Sequence, residues 1–269
     1  MSTHSSHILR LNDKISLSLS ETTEAGLGDS SPLQKGLLLC IGNRSVCGEG
    51  MGFGAPALDH PEGVFFSTYA KVEARSGELV KSFSINACQR KTWRDKLPLD
   101  NGLYLDVERR LVEKYRKDER YRKFLSYPIR LTSILGFKLS YQGVQSKGSV
   151  NVSYRLSGNK LKVRVDTASL ADREYRNLLI FNEQLAAFDL YVDGFSKVQG
   201  NNIGAWKEIL SPKACLTNQD DNVTFCIRNI PGTRLFCGRE LLRPRLDWAG
   251  FCYLVPSSAK QFEYDVEII

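Results

Sequence analysis

Residues 149 to 166 read SVNVSYRLSGNKLKVRVD, and they decide the fold class. Val150, Val152, Tyr154 and Leu156 alternate with polar residues, then Leu161, Val163 and Val165 alternate with Lys162, Arg164 and Asp166. A period of two puts alternate side chains on opposite faces of a half-buried strand. Gly158 and Asn159, between the two runs, tolerate the positive φ of a tight turn, so the stretch predicts a β-hairpin.

The same period recurs outward in both directions. Upstream, GVFFSTYAKVEA turns through Arg75, Ser76 and Gly77 into ELVKSFSINAC, where Leu79, Phe83, Ile85 and Ala87 share a face interrupted by Lys81. Further strands are expected at residues 8 to 11, 15 to 19, 36 to 41, 136 to 141, 177 to 182, 187 to 192, 223 to 228, 234 to 238, 250 to 255 and 261 to 268. Many short strands separated by Gly, Pro, Asn and Asp turns predict an all-β, mainly antiparallel, two-sheet sandwich or supersandwich. The exception is residues 103 to 125, where Val107, Leu111 and Tyr115 recur at four-residue spacing and predict one amphipathic surface helix ahead of Pro128. A chain of 269 residues suits a single β-sandwich domain over residues 1 to 269, with a mobile tail at residues 1 to 7.

Composition narrows the function classes. A hydrophobic fraction of 42% with 25% charged residues is that of a globular protein. The densest apolar run, GLLLCIG at residues 36 to 42, is only strand-sized, and MSTHSSHILRLNDK lacks a secretory pattern, so the expectation is a cytoplasmic protein without a membrane span. Seven cysteines without a C-x-x-C pair and three histidines make a poor zinc inventory, so buried reduced thiols, no metal and no cofactor are expected. The net charge of +7 favours acidic partners, and residues 106 to 123 concentrate eight basic against five acidic side chains. That segment mixes its signs at helical spacing, as in Glu113 with Lys117, which a solvated helix also does.

Four places could carry chemistry. The stretch CGEGMGFGAPALDHPEG, residues 47 to 63, has the glycine content of a loop lying close to a ligand, and Glu49 and His60 are its side chains suited to proton transfer. It ends in no Walker lysine and opens no helix, so it is not a phosphate loop. Arg90, Trp93 and Arg94 in CQRKTWRDK, and Arg245, Asp247 and Trp248 in RPRLDWAGF, pair an aromatic face with ionic groups and are the ligand-binding candidates. Glu183 in FNEQ is the leading catalytic carboxyl, whereas Asp193, ahead of Gly194, reads as a turn residue.

The strand pattern from residue 136 to 193, with VDTASLADREYRNLLIFNEQLAAFDLYVDG, and the closing strands WAGFCYLVP and FEYDVEI resemble the galactose-mutarotase-like supersandwich proteins. The resemblance covers the last half of the chain and is one of general style. It implies two sheets and a carbohydrate cleft on the concave face of one of them. Sugar epimerases of that superfamily rely on histidines with a glutamate, and here only His60 lies within the folded region. The leading expectation is a carbohydrate-active or carbohydrate-binding protein for sugars or acidic sugar derivatives, taking a small-molecule or oligosaccharide ligand. Any epimerase, lyase or hydrolase chemistry would use carboxylate or Tyr acid/base groups. The rivals are a non-catalytic module for nucleic acid or another polyanion, and a cofactor-independent hydratase or isomerase for a small hydrophobic metabolite.

Overall fold

A computed structural model of the protein describes residues 6–20, 33–47, 50–75, 77–91, 139–171, 174–204, 206–242 and 246–269. The hairpin that opened the sequence reading is present as β9 (Ser149–Ser157) and β10 (Lys160–Asp166), in antiparallel register with Val163 opposite Tyr154 and Val165 opposite Val152. Of its alternating apolar set, Val150, Val152, Tyr154, Leu161, Val163 and Val165 are fully buried and Leu156 partly so. Each such side chain contributes about 1.5–3 kcal/mol relative to exposure, which makes this register costly to shift.

The second hairpin is β6 (Gly63–Arg75) with β7 (Glu78–Lys91), joined to β9 through β7. Lys81, the interruption on its apolar face, is buried with its Nζ donating to the carbonyls of Ser20 at 2.9 Å and Lys35 at 2.8 Å. The ammonium is tolerated inside because backbone oxygens replace its water.

The architecture is nearly all antiparallel β, two sheets forming a sandwich. The smaller sheet runs β1 (Ser6–Arg10), β2 (Ile15–Ser20), β3 (Leu38–Ile41) and β4 (Arg44–Ser45), and β1 sets His7 opposite Leu19. The larger adds β5 (Gly52–His60), β8 (Leu139–Gly143), β11 (Asn177–Gln184), β12 (Leu190–Asp193) and β13 (Lys197–Gln199). It is completed by β14 (Lys207–Ile209), β15 (Lys213–Asn218), β16 (Val223–Arg228), β17 (Arg234–Leu242), β18 (Leu246–Pro256) and β19 (Gln261–Ile268). Its order is β13-β12-β15-β16-β19-β10-β9-β7-β6-β5-β11-β18-β17-β14, with β8 on β7. Leu17, Leu39, Phe53, Phe83, Tyr154, Ile180, Phe225, Phe251 and Val266 share one core, so both sheets face a common interior.

Three features differ from the sequence expectations. The glycine-rich stretch is not a loop throughout, because Gly52–His60 is β5, paired with β11 along most of its length. Small residues at 54, 55 and 57 let this strand lie under its neighbours, and Tyr154 leaves room for nothing larger than Gly54: a Cβ there would sit 3.0 Å from its ring. Pro56 is accommodated because the ladder from β5 to β6 covers only Leu58–His60, so its missing N–H costs no bond on that side. Strand β15 went unread in the sequence, and with it the pairing of Cys215 opposite Cys226, which form a disulfide. Buried thiols hold for Cys47, Cys88, Cys237 and Cys252. The expected helix at residues 103 to 125 lies outside the described residues.

Candidate functional site

Strand β11 carries the site because its two faces do different work. Leu178 and Ile180 point into the common core, while Leu179 and Phe181 point outward into a second cluster with Leu33, Met51, Ala57, Val64, Phe66 and Tyr141. The pairing of β11 with β18 is unbroken from Asn177 to Gln184, and the register shift against β5 leaves Gly54 of β5 as the extra residue, while Asn182, Glu183 and Gln184 are consecutively buried. Alternation along β11 therefore places a carboxyl, Glu183, on the same face as Leu179 and Phe181 of the outer aromatic cluster.

The Glu183 carboxylate accepts a hydrogen bond from the N–H of Met51 at 2.9 Å. Its cross-strand neighbours are Gly250 on β18 and Gly52 on β5, so no side chain flanks it within its row. Burial pushes its pKa up to about 7, against the smaller lowering effects of the Met51 N–H and the Lys35 charge, with Glu240 adding to the rise. A carboxyl that changes charge near neutrality can both give and take a proton there. Tyr141 is also raised, first by burial and then by the negative charge of Glu183.

Beside this carboxyl runs a row of rings. Trp248 and Trp206 stack with centroids 4.7 Å apart and planes at 20°; Trp206 meets Phe181 at 6.0 Å. Phe181 stacks on Phe66 at 6.3 Å, and Phe66 meets Tyr141 edge-on at 5.5 Å. Trp206, Phe181 and Tyr141 are half-buried, which leaves part of each ring open. The row therefore offers ring faces and edges next to a protonatable acid.

The sequence candidates fall in different places. Glu183 and Trp248 belong to this site. Asp247 has a structural partner: its Oδ1 accepts the N–H of Ala186 at 2.9 Å at the turn after β11. His60 is buried at the far end of β5, edge-on to Phe65 at 5.2 Å, with Nδ1 accepting the N–H of Glu62. Since Gly52, at the other end of β5, is the residue opposite Glu183, His60 and Glu183 are roughly 25 Å apart along the strand and do not converge. Asp193 is the turn residue expected, accepting the N–H groups of Phe195 and Ser196. Arg90 sits on β7 opposite Ser140. Glu49, Trp93, Arg94 and Arg245 lie outside the described residues.

Tyr141, Phe181 and Trp206 were not among the sequence candidates, and Phe66 was one only as a lining residue for a hydrophobic ligand, beside Phe65 and Phe83. Phe66, Tyr141 and Phe181 are ordinary strand aromatics until the two faces are assigned. Trp206 had one available signal, its place in a Gly-Asn-rich connection, NNIGAWK, where an indole has no helix or strand to pack it. Among the described residues no cluster of His, Cys, Asp and Glu could hold a metal ion, and no helix is long and apolar enough to cross a membrane.

No family model matches the chain, and no curated protein matches it in sequence. Solved structures similar to it include a protein of Synechocystis sp. PCC 6803, at 10% identity and a TM-score of 0.39, covering 100% of this chain and 95% of that one. A galactose mutarotase related enzyme from Lactobacillus acidophilus is similar at 9% identity and a TM-score of 0.34, covering 98% of this chain and 96% of that one. This is a distant resemblance to galactose-mutarotase-like enzymes. The chemistry of the site has to come from its own side chains.

Proposed function

We propose that the chain binds a carbohydrate on the outer face of β11, with the ring row as the stacking surface and Glu183 as the acid/base group of any turnover. The observation that carries this reading is the adjacency of five aromatic rings to one buried carboxyl that titrates near neutrality. The C–H face of a pyranose packs on an aromatic ring while its hydroxyls reach polar groups at the ring edge, which suits half-open rings bordered by Tyr141 and Glu183. A neutral sugar is favoured over an acidic one, because the two charges felt by Glu183, those of Lys35 and Glu240, are opposite in sign and leave no net positive field for an anion. Ionic binding of a polyanion has less support among the described residues: Arg44, Arg75, Lys162, Lys213 and Arg234 each face a carboxylate within 2.9 Å.

A second reading has its own observation. Leu33, Val64, Phe66, Leu179 and Phe181 make the same face strongly apolar, as a site for a small hydrophobic metabolite would be. Phe65 and Phe83 belong to the common core and do not line this face.

The test is titration of the protein with D-galactose, D-glucose and D-glucuronate, and with a hydrophobic dye, following tryptophan fluorescence in the wild type and in Trp206→Ala. Saturable binding of a neutral hexose, weakened about tenfold or more by the substitution, is the expected result. Dye binding without hexose binding would move the assignment to the hydrophobic ligand. Hexose binding indifferent to Trp206 would take the site off this face.

A further inference from the structure

Strands β13 and β14 are the two ends of the larger sheet's hydrogen-bonded path, yet they follow one another in sequence. Residues 200 to 206 carry the chain from one end to the other, and Trp206 is delivered by this connection and by no strand. The connection is conformationally demanding. Gly200 and Gly204 have φ of 61° and 73°, and Trp206 itself has φ of 42°, a region that a bulky side chain occupies only where its surroundings impose it.

Arg239 supplies much of that imposition. Buried on β17, it bonds to the connection twice: its backbone N–H donates to the Gly204 carbonyl at 2.8 Å, and its Nη1 donates to Asn201 Oδ1 at 2.9 Å. Its Nε donates to the Ala186 carbonyl at 2.7 Å, which fixes the guanidinium to the turn following β11. The planar fork thus ties the connection to the strand that bears Glu183. The neighbouring residue completes the seat, since a Cβ on Gly238 would lie 2.8 Å from the Trp206 nitrogen and 2.9 Å from the Trp248 ring.

We infer that Arg239 is the positioning residue of the aromatic face: its guanidinium holds Asn201 against the Ala186 turn and, beside the backbone bond to Gly204, sets the Trp206 indole against Trp248 and Phe181. Its consequence for a ligand rests on the carbohydrate reading above, but its consequence for the indole pair does not. A pair of parallel indoles 4.7 Å apart couples excitonically, so near- and far-ultraviolet circular dichroism reports the stack directly.

The experiment compares this couplet in the wild type, Trp206→Phe, Arg239→Lys, Arg239→Met and Asn201→Ala, with thermal melting to certify the fold. Trp206→Phe removes the couplet and identifies its source. Arg239→Met is expected to reduce it at least twofold, Arg239→Lys to retain more of it, and Asn201→Ala to reduce it measurably in a protein that melts as the wild type does. Asn201→Ala is the decisive variant if either arginine substitution fails to fold, because it removes only the acceptor of Nη1. An unchanged couplet in Asn201→Ala and in a folded Arg239→Met overturns the inference. D-galactose titration of the same proteins separates the two readings: a reduced couplet with no hexose binding in any protein leaves Arg239 as the positioning residue and removes the carbohydrate assignment.

Discussion

The Glu183 carboxylate accepts the N–H of Met51 at 2.9 Å while buried beneath the outer aromatic cluster. That single donor does not offset desolvation, and the group's pKa stands at about 7 against an ordinary 4.5. A raised carboxyl pKa means that the folded protein holds a proton which the unfolded chain releases between those two values. Stability is then highest below pH 4.5 as far as this group is concerned, and falls as pH rises to 7, by up to about 3 kcal/mol. Glu183→Gln keeps an acceptor and has no proton to lose. Denaturant midpoints across pH 5 to 8 should fall for the wild type and stay flatter for the variant; parallel curves would place the Glu183 pKa back in the usual carboxylate range.

Lys81 is a second buried charge with a different solution. Its Nζ bridges the carbonyls of Ser20 and Lys35 and lies 5.3 Å from the centroid of the Phe83 ring. Lys81→Met matches the stem in length but strands two carbonyls that had a charged donor. The expected loss is about 2–4 kcal/mol in urea denaturation, with Lys81→Arg costing less if its fork reaches either oxygen. A loss below about 0.5 kcal/mol would mean that water takes over both carbonyls.

The Cys215–Cys226 disulfide joins residues already opposite each other in six consecutive backbone pairs of β15 and β16. Because that hairpin is also clamped by the hydroxyls of Thr217 and Thr224 at 2.8 Å and by Lys213 with Glu267 at 2.6 Å, it should survive reduction. Loop-closure entropy for a separation of 11 residues sets a loss of at most about 3 kcal/mol. Dithiothreitol should lower the melting temperature of the wild type and leave that of a Cys215→Ala, Cys226→Ala variant unmoved. Mass spectrometry after native alkylation should show Cys47 unmodified, since burial pushes its thiol up to about 12.

Much of the fold was legible because one physical signal, alternation, repeats wherever a strand has one buried face; β9, β10, β16 and β19 were read almost to the residue. Strand β5 was missed because GFGAPALDH is built of small residues packed on both sides, which erases alternation and leaves glycine and proline to suggest a loop. The site was half legible. Glu183 and Trp248 were chosen on chemical type, but Asp247, chosen on the same ground, spends its carboxylate on the Ala186 N–H. Which of two similar side chains serves the fold depends on contacts far apart in sequence. Trp206 shows this most sharply, since its partners Phe181 and Trp248 are 25 and 42 residues away.

Asn182 links that outer site to the interior. Its Oδ1 accepts both the hydroxyl of Tyr264 at 2.7 Å and the N–H of Gly54 at 3.2 Å, and its Nδ2 donates to the Ile180 carbonyl at 3.3 Å, all fully buried. It stands opposite the bulge at Gly54 of β5, one residue before Glu183. Asn182→Ala should cost about 2–4 kcal/mol because two buried donors lose one acceptor together, whereas Tyr264→Phe should cost only about 1 kcal/mol, removing donor and demand at once. A double-mutant cycle on the two should return a coupling of at least about 0.5 kcal/mol. Because this amide anchors the β5 bulge beside Glu183, Asn182→Ala should also lower the apparent pKa of Glu183, as loosened packing admits water and lessens the desolvation that raised it. That change is read as a shallower decline of stability between pH 5 and 8 than the wild type shows, and an unaltered decline would mean that the bulge keeps its place without the amide.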